Sequence, residues 1–390
     1  MNLRALRARI KEFRARSLAG ALADFSLSLA AYLGAFYGAL ALSSSPLRAA
    51  LGLGAGVAAG SLFMMGHDAC HGSYTHLPTL NRVLGRIAFL PSYQAYSLWD
   101  LSHNRTHHIY TNLKGKDFVW LPLSKPEFDA LPLLRRLVYR LHRTPLGLAF
   151  YYPMDIWLPR IFFPRRAMVD RPRLAYTLDS LLVLGFILLQ IAATIVVPHR
   201  GFGGWAASAL YALLVPWLVF SWMIGFVIYF NHTHPRVPWF DKKEDWSAFS
   251  GTIHGTLRLR FPPWTRLFAS NIMDHVAHHV DPRIPLVRLS DAEDAIEALL
   301  PGQVVVETWS IGNLRGILRR CKLYDYGAHR WTDYEGRPTS ERWLPPEDAR
   351  RRGSLVEHVA APLEEGPDLG DDGVVPVAER DRRALREHRG

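Results

Sequence analysis

The segment WAASALYALLVPWLVFSWMIGFVIYF occupies residues 205–230 and runs directly into Asn231-His232-Thr233-His234. A helix that crosses a bilayer needs about 20 mostly apolar residues, and this segment contains no charged residue at all. Three further segments are long and apolar enough for the same role: 21–43, 47–65 and 176–198. The sequence therefore predicts about four transmembrane helices, and it places histidines where one of them ends.

The overall composition agrees with a membrane protein whose apolar and basic segments alternate. The chain has 390 residues, 49% of them hydrophobic, a formal net charge of +11 and a mean hydropathy of +0.00. This apolar content excludes a disordered or fibrous chain. Two cysteines, Cys70 and Cys321, are too few for a disulfide framework or a cysteine-rich zinc site. With no recognisable nucleic-acid module, the basic excess favours contact with anionic lipid headgroups.

Basic residues also predict the orientation in the membrane, because loops rich in Lys and Arg stay in the cytoplasm. The N-terminal segment 1–20 carries six of them, and 100–175 carries thirteen. We therefore expect an all-α, multi-pass integral membrane protein whose four helices form two hairpins. We also expect a helical cap on the cytoplasmic side, an interfacial segment at 82–99 and a flexible tail at 345–390.

Histidines are the chemically informative residues, and they cluster in four short motifs. Three motifs contain two histidines four residues apart, a spacing that puts both on one face of a helix. The motifs are His67-Asp68-Ala69-Cys70-His71, His103-Asn104-Arg105-Thr106-His107-His108, His275-Val276-Ala277-His278-His279, and the pair His232 and His234. With one imidazole taken from the last pair, they offer about nine, more than one tetrahedral zinc can use. The set suits two six-coordinate ions, although imidazole alone does not select iron over zinc, copper or nickel.

Two other classes of protein are weighed against this interpretation. A single HxxxH can arise by chance, and the first motif is no metalloprotease site because Asp68 stands where the general-base Glu would be. A histidine-rich metal transporter would place ionisable residues in the middle of its spans. Here the histidines collect at the ends of the spans, on the side predicted to be cytoplasmic.

The order HxxxH, HxxxHH and HxxHH, with spans between, resembles the membrane fatty acid desaturase superfamily of di-iron oxidoreductases. The last third is similar to acyl desaturases of the Δ12/ω-6 type, in Asn231-His232-Thr233-His234-Pro235 and His275-Val276-Ala277-His278-His279. The resemblance covers about 15–330 and implies a membrane desaturase domain over 21–340. It implies iron ligands at His67, His71, His103, His107, His108, His232, His275, His278 and His279, with His234 as the alternative to His232.

That resemblance also implies the reaction, which is O2-dependent insertion of a cis double bond into a fatty acyl lipid by two iron ions. One alternative stays open, because His67–Ser73 is also similar to the start of carotenoid ketolases. A carotenoid ketolase or hydroxylase, or an alkane-type hydroxylase, would use the same histidine cage. Electrons would come from a separate ferredoxin or cytochrome b5, since the chain lacks a His-Pro-Gly-Gly haem motif, a dinucleotide fingerprint and a cysteine array. The basic residues expected to attract this carrier are Lys114, Lys116, Arg135, Arg136 and Arg140.

Three details of packing are also expected. Gly34/Gly38 and Gly56/Gly60 form small-residue faces that would let the first two spans approach each other. Ligating imidazoles need an acceptor for their second N–H group, and the nearby candidates are Asp68, Asp100, Asn104, Asp117, Asp274 and Asp281. An apolar substrate tunnel would be lined by aromatic residues, namely Tyr96, Trp99, Trp120, Trp222 and Trp239.

Overall fold

Four long helices dominate the computed structural model, which describes residues 1–162, 169, 173–197, 204–265 and 270–345. Their bounds are Leu18–Ala41, Ser45–Cys70, Leu174–Val196 and Gly204–His232. Each is long and apolar enough to cross a membrane, so the four predicted spans are confirmed to within about five residues at each end. From residue 346 onwards, the predicted flexible tail (345–390) lies outside the described residues.

The helices are numbered here in chain order. They are α1 (Leu3–Arg9), α2 (Leu18–Ala41), α3 (Ser45–Cys70), α4 (Pro78–Phe89), α5 (Tyr96–Ser102), α6 (Lys125–Ala130), α7 (Leu133–His142), α8 (Leu148–Tyr151), α9 (Leu174–Val196), α10 (Gly204–Ala209), α11 (Val215–His232), α12 (His275–Val280), α13 (Leu289–Leu299) and α14 (Ile311–Arg320). Segments of π-helix extend α5, α8 and α10, at His103–His107, Tyr152–Phe162 and Leu210–Leu214, and a further π-helical segment lies at Ser250–His254.

Two small sheets complete the mostly helical fold. Strands β1 (Leu257–Arg260) and β2 (Val305–Thr308) pair in parallel, whereas β3 (Leu323–Asp325) and β4 (Arg330–Thr332) pair antiparallel. Each has only two strands, which is marginal without packing against other elements. They lie in the cap that follows the fourth span, where α12 packs against β1.

Helix α3 is the centre of the membrane region, since it contacts both α2 and α11. The expectation that Gly56 and Gly60 face the first span is wrong, because both face the fourth. A Cβ atom on Gly56 would lie 2.5 Å from the Val219 Cβ, and one on Gly60 would lie 2.7 Å from the Met223 Cε. Only Gly38 serves the predicted contact, where an added Cβ would lie 2.7 Å from the Leu51 Cδ1.

A buried arginine joins three spans at the end remote from the histidines. Arg48 is 1% exposed; its Nε donates to the Ala39 carbonyl at 2.8 Å, and its guanidinium donates to the Ser208 Oγ at 2.6 Å. A buried guanidinium is tolerated only when its donors are satisfied, and here the partners come from α2 and α10. This arginine therefore ties the two hairpins together.

The predicted interfacial piece 82–99 forms short helices, α4 and α5, that pack against α3 and α9. An apolar face of the kind found on membrane-interface helices also occurs on α7, whose outward leucines are between 42% and 71% exposed. They are Leu133, Leu134, Leu137 and Leu141. The loop after α7 touches the fourth span, because the Trp222 indole N–H donates to the Pro145 carbonyl at 2.8 Å.

Candidate metal centre

The histidine motifs, which are far apart in sequence, converge on one buried place where the spans meet the cap. Eight of the histidines form two groups whose ligand atoms lie within 4.8 Å of one another. The first tetrad is His67, His71, His103 and His278, and the second tetrad is His107, His232, His275 and His279. These are histidine groups that could hold metal ions, one ion in each tetrad.

The ninth predicted histidine, His108, lies between the two tetrads. Its Nε2 is 3.0 Å from the Nε2 of His103, and its ring stacks on that of His279 with centroids 4.3 Å apart. It is also 4.6 Å, centroid to centroid, from the His278 ring. The alternative ligand His234 is placed elsewhere, with its Nε2 3.5 Å from a Glu307 carboxylate oxygen. The geometry thus separates the two members of the His232/His234 pair.

A π-helical turn explains why one motif serves both tetrads. At His103–His107 the backbone forms i→i+5 hydrogen bonds, and the His108 N–H donates to the His103 carbonyl at 3.0 Å. The wider turn brings His103 next to His108 instead of His107, so the i,i+4 pairing expected from an α-helix does not hold here. Such π-turns are rare and are frequent at functional sites.

Tautomers in the second tetrad follow from the partners of each Nδ1 atom. The His232 and His275 Nδ1 atoms face the carbonyls of Gly255 and Ile272 at 3.3 and 3.1 Å, and a carbonyl can only accept. The His107 Nδ1 lies 3.1 Å from both oxygens of Asp117. Each of these Nδ1 atoms therefore carries the proton, which leaves the Nε2 of a neutral ring with a free lone pair.

His279 has the same tautomer for an indirect reason. Its Nδ1 is 3.1 Å from the Thr111 Oγ1, and that hydroxyl donates its own proton to the His107 carbonyl at 2.9 Å. The hydroxyl must accept from the imidazole, so the His279 Nε2 also carries a lone pair. Burial, followed by the neighbouring histidines, lowers the pKa of His279 and of His275 well below the ordinary value, which keeps both rings neutral.

Four lone pairs consequently point at one another in the second tetrad. The His275 Nε2 lies 3.1 Å from both the His232 Nε2 and the His279 Nε2. Two lone pairs at that distance repel unless a cation sits among them. Neutral imidazole is the form that binds metals, and the Nδ1 partners are the contacts that orient such ligands. The donor set fits a metal ion.

The first tetrad fits a metal for a complementary reason. Within the described part of the chain, its buried nitrogens without a hydrogen-bond partner are His67 Nδ1 and Nε2, His71 Nε2, and His278 Nδ1 and Nε2. Buried polar atoms rarely stay unpaired. Burial is also the main cause that lowers the pKa of His103 and His278 well below the usual range, so these rings are neutral and able to bind a metal.

Of the acceptors expected for ligand N–H groups, only Asp117 touches a tetrad histidine at hydrogen-bond distance. Asp68 is 3.7 Å from the His67 Nδ1, Asp274 pairs with Arg258, and Asp281 pairs with Arg14. Asp100 accepts from Asn104. Sequence reasoning missed Thr111 and the two backbone carbonyls, because neither a lone threonine nor a carbonyl carries a motif signal.

Replacing Asp117 by asparagine tests the orientation of His107. Asn offers a neutral carbonyl instead of a carboxylate, which weakens the charge-assisted hydrogen bond to the imidazole. We expect metal affinity to fall about 10–100-fold, as for other partners of ligating histidines. Metal content after dialysis against a graded chelator measures the change. Asp129→Asn is the matched control on an exposed acid, and equal metal retention in both variants would contradict the assignment.

A narrow, mostly apolar cavity of about 60 Å³ opens onto both tetrads. Its histidine wall is formed by His67, His103, His107, His232 and His275. The remaining wall is almost entirely apolar, with Phe63, Met64, Trp99, Phe118, Ile156, Ile161, Ile224 and Val227 among its residues. Of the five aromatic residues expected to line a tunnel, only Trp99 does so; Trp120 and Trp239 are buried in the core.

Comparisons with known proteins agree with this site. The sequence model of the fatty acid desaturase family matches residues 43–310. A chloroplastic omega-6 fatty acid desaturase of Brassica napus is 28% identical over 274 residues, which are 69% of this chain and 58% of that protein. The sn-1 oleoyl-lipid 12-desaturase of Synechocystis sp. is 30% identical over 274 residues, 69% of this chain and 74% of the relative.

A second sn-1 oleoyl-lipid 12-desaturase, from Picosynechococcus sp., is 28% identical over 303 residues, covering 77% of this chain and 83% of the relative. The match to the Brassica napus protein spans under two thirds of that protein's length. The family match nevertheless contains all four histidine motifs, including the one on α12. The spans, the converging histidines and the similarity to these relatives lead to one conclusion: this chain belongs to the fatty acid desaturase family.

Proposed function

We propose that the chain is a membrane-bound fatty acyl desaturase that inserts a cis double bond at the Δ12/ω-6 position of a lipid-linked oleoyl chain. One observation carries this proposal: the Nε2 lone pairs of the second tetrad converge at the wall of an apolar cavity. The printed names of the relatives, omega-6 fatty acid desaturase and sn-1 oleoyl-lipid 12-desaturase, support the substrate class.

The metal is proposed to be two iron ions. The first tetrad would hold one and the second tetrad the other, and His108 would serve the first ion at the side that faces the second. Imidazole is a ligand that suits iron, and open coordination positions would let the metal bind a gas molecule. The tetrads supply four imidazoles each, so positions for water or dioxygen remain.

The reaction removes hydrogen from a C–C pair that offers no acidic proton and no leaving group, so side-chain acids, bases and nucleophiles cannot perform it. Bound iron would supply the oxidising power, with two hydrogens of the acyl chain, dioxygen, two electrons and two protons becoming two water molecules and the alkene. The protein's own part is to hold the chain against the histidines and to keep bulk water away.

The cavity residues do this positioning. Phe63 and Met64 on α3 and Ile224 and Val227 on α11 line the cavity together with the histidines. An acyl chain in the cavity would therefore lie between these apolar side chains and the histidines. Trp99 stacks on the His103 ring, with centroids 4.2 Å apart, and forms part of the same wall. An apolar chain gains about 0.8 kcal/mol for each methylene that it buries, which favours a lipid tail over a polar substrate.

The site is proposed to face the cytoplasm, and its electrons to come from a separate ferredoxin or cytochrome b5. His67 and His232 lie in the last turns of α3 and α11, so both spans present the site at the same end. That end carries the basic segments, which the charge rule places in the cytoplasm. Among the residues expected to attract a carrier, Lys114 pairs with Glu127 at 2.7 Å, whereas Arg135 is exposed.

Fatty-acid profiling of a host that contains oleoyl lipids tests the function. Cells expressing the chain should accumulate a new dienoic acid, and cells expressing His278→Ala at equal protein level should match the empty-vector cells. A wild-type profile without new unsaturation would remove the proposal. Oxygenated carotenoids in a carotenoid-producing host, without dienoic acid, would favour the ketolase or hydroxylase alternative.

A further inference from the structure

The first 17 residues, which the sequence shows only as a basic segment, are docked against the metal centre's scaffold. Leu3, Leu6 and Ile10 are 4%, 0% and 0% exposed, so α1 and the turn after it bury an apolar face in the main core. Asn2 caps α1, its side chain accepting from the Ala5 N–H at 2.9 Å. This segment, residues 2–17, is called the N-terminal strap below.

Two arginines of the strap hold the end of the helix that carries the third histidine motif. The Arg7 Nε donates to the carbonyl of Val280, the last residue of α12, at 2.6 Å. The Arg14 guanidinium binds the Asp281 carboxylate, with Nε and a terminal nitrogen 2.7 and 2.6 Å from Oδ2. Cations at a helix C-terminus satisfy its free carbonyls and its dipole.

The contact between Arg14 and the end of α12 depends on Asp281, a buried carboxylate. Its side chain is 1% exposed, it directly follows α12, and its backbone N–H closes that helix on the Ala277 carbonyl. Arg283 is its other cationic neighbour, at 3.3 Å and 46% exposed. Without Arg14 the buried carboxylate would keep only Arg283, whose backbone N–H and Nε both lie 3.3 Å from its Oδ1. Removing one partner of a buried ion pair is strongly destabilising.

The strap reaches the first histidine motif as well. The Arg16 guanidinium lies 3.7 Å from the Asp68 Oδ2 and 4.4 Å from the centroid of the Tyr74 ring. That same Asp68 oxygen accepts the Leu286 N–H at 2.9 Å, which links the residue after His67 to the loop after α12. The two motifs that supply His67 and His278 to the first tetrad are therefore both linked to the N-terminal strap.

We propose that the N-terminal strap positions α12, so that His275, His278 and His279 stay in register with the other histidines of both tetrads. Arg7 and Arg14 are positioning residues, because they act through Val280 and Asp281 and touch neither tetrad. The inference rests on the metal centre of the proposed function. The exposed Arg4 and Arg9 on the outer face of α1 take no part in it.

The test compares Arg14→Ala, Arg14→Lys and the matched control Arg9→Ala in purified full-length protein. Amide hydrogen exchange of residues 275–284 is measured in metal-stripped protein, and the rate of iron release to a chelator is measured in loaded protein. We expect Arg14→Ala to speed both, iron release by about tenfold or more. Arg14→Lys should restore most of the wild-type behaviour, and Arg9→Ala should match the wild type.

The proposal would be overturned if Arg14→Ala and Arg9→Ala behaved alike in both measurements. It would also be overturned if Arg14→Lys showed the same defects as Arg14→Ala. If Arg14→Ala does not accumulate as folded protein, Arg7→Ala makes the same comparison through the Val280 carbonyl. If the wild-type protein bound no iron, that result would contradict the proposed function instead. The exchange comparison needs no metal, so it would still decide whether the strap holds α12.

Discussion

His275→Ala is expected to abolish dienoic acid formation and to lower the iron content by at least one ion per chain. The His275 Nε2 is 3.1 Å from the Nε2 atoms of both His232 and His279, so it is the centre of the second tetrad. Removing it leaves three ligand atoms and opens the middle of the group. Elemental analysis and fatty-acid profiling of the same preparation measure the two effects together.

His234→Ala is the matched control for that variant. His234 is also buried and lies in the neighbouring motif, but it contacts Glu307 and the Arg236 N–H instead of the tetrads. We expect it to retain both ions and measurable desaturation. If His234→Ala lost iron while His275→Ala kept it, the assignment of His232 over His234 and the second tetrad itself would be wrong.

Ile224→Trp is expected to keep both iron ions and to lower desaturation by about 100-fold or more. Ile224 is 5% exposed and lines the cavity on α11, so an indole there occupies the space that the acyl chain needs. Misplacement of the substrate by about 1 Å can cost this much even when the reacting groups are intact. The measurement is the turnover of oleoyl lipid per bound iron.

The same substitution on the lipid-facing surface controls for the effect of an added tryptophan. Ile195 on α9 is 62% exposed, and aromatic side chains are tolerated near the membrane interface. Ile195→Trp should leave both iron content and turnover near the wild-type values. Full activity of Ile224→Trp would show that the acyl chain binds elsewhere, even if the metal site proved correct.

The sequence was informative about spans and histidines because each carries a strong local signal. Mostly apolar runs of the length of a bilayer can form only helices or barrels there, and the four spans begin and end within about five residues of the predicted bounds. The convergence of the histidine motifs follows from the same orientation. All nine expected histidines lie in or between the two tetrads.

What the sequence could not supply depends on backbone geometry and on distant contacts. The π-turn that separates His103 from His107 has no motif signal, so the two were expected on one face. The Gly255 and Ile272 carbonyls that fix the tautomers are invisible in a sequence, because every residue has a carbonyl. Arg14 and Asp281 are 267 residues apart, and no local pattern joins them.

Predictions that rest on residue type alone were also wrong where one type of residue serves several purposes. The glycines of α3 were expected to face α2, yet spacing alone cannot say which neighbouring helix receives a small-residue face. Aromatic residues near the ends of spans are expected to line a substrate tunnel. The Trp222 indole N–H instead donates to a carbonyl in the loop after α7, and this residue is 39% exposed. Both errors arise because helix neighbours are set by tertiary packing.

Anomalous scattering at the iron absorption edge, from crystals of the purified protein, would locate the metal ions among the histidines. We expect two iron peaks, one surrounded by His67, His71, His103 and His278 and the other by His107, His232, His275 and His279. A single peak, a peak only at the zinc edge, or density away from these imidazoles would contradict this expectation.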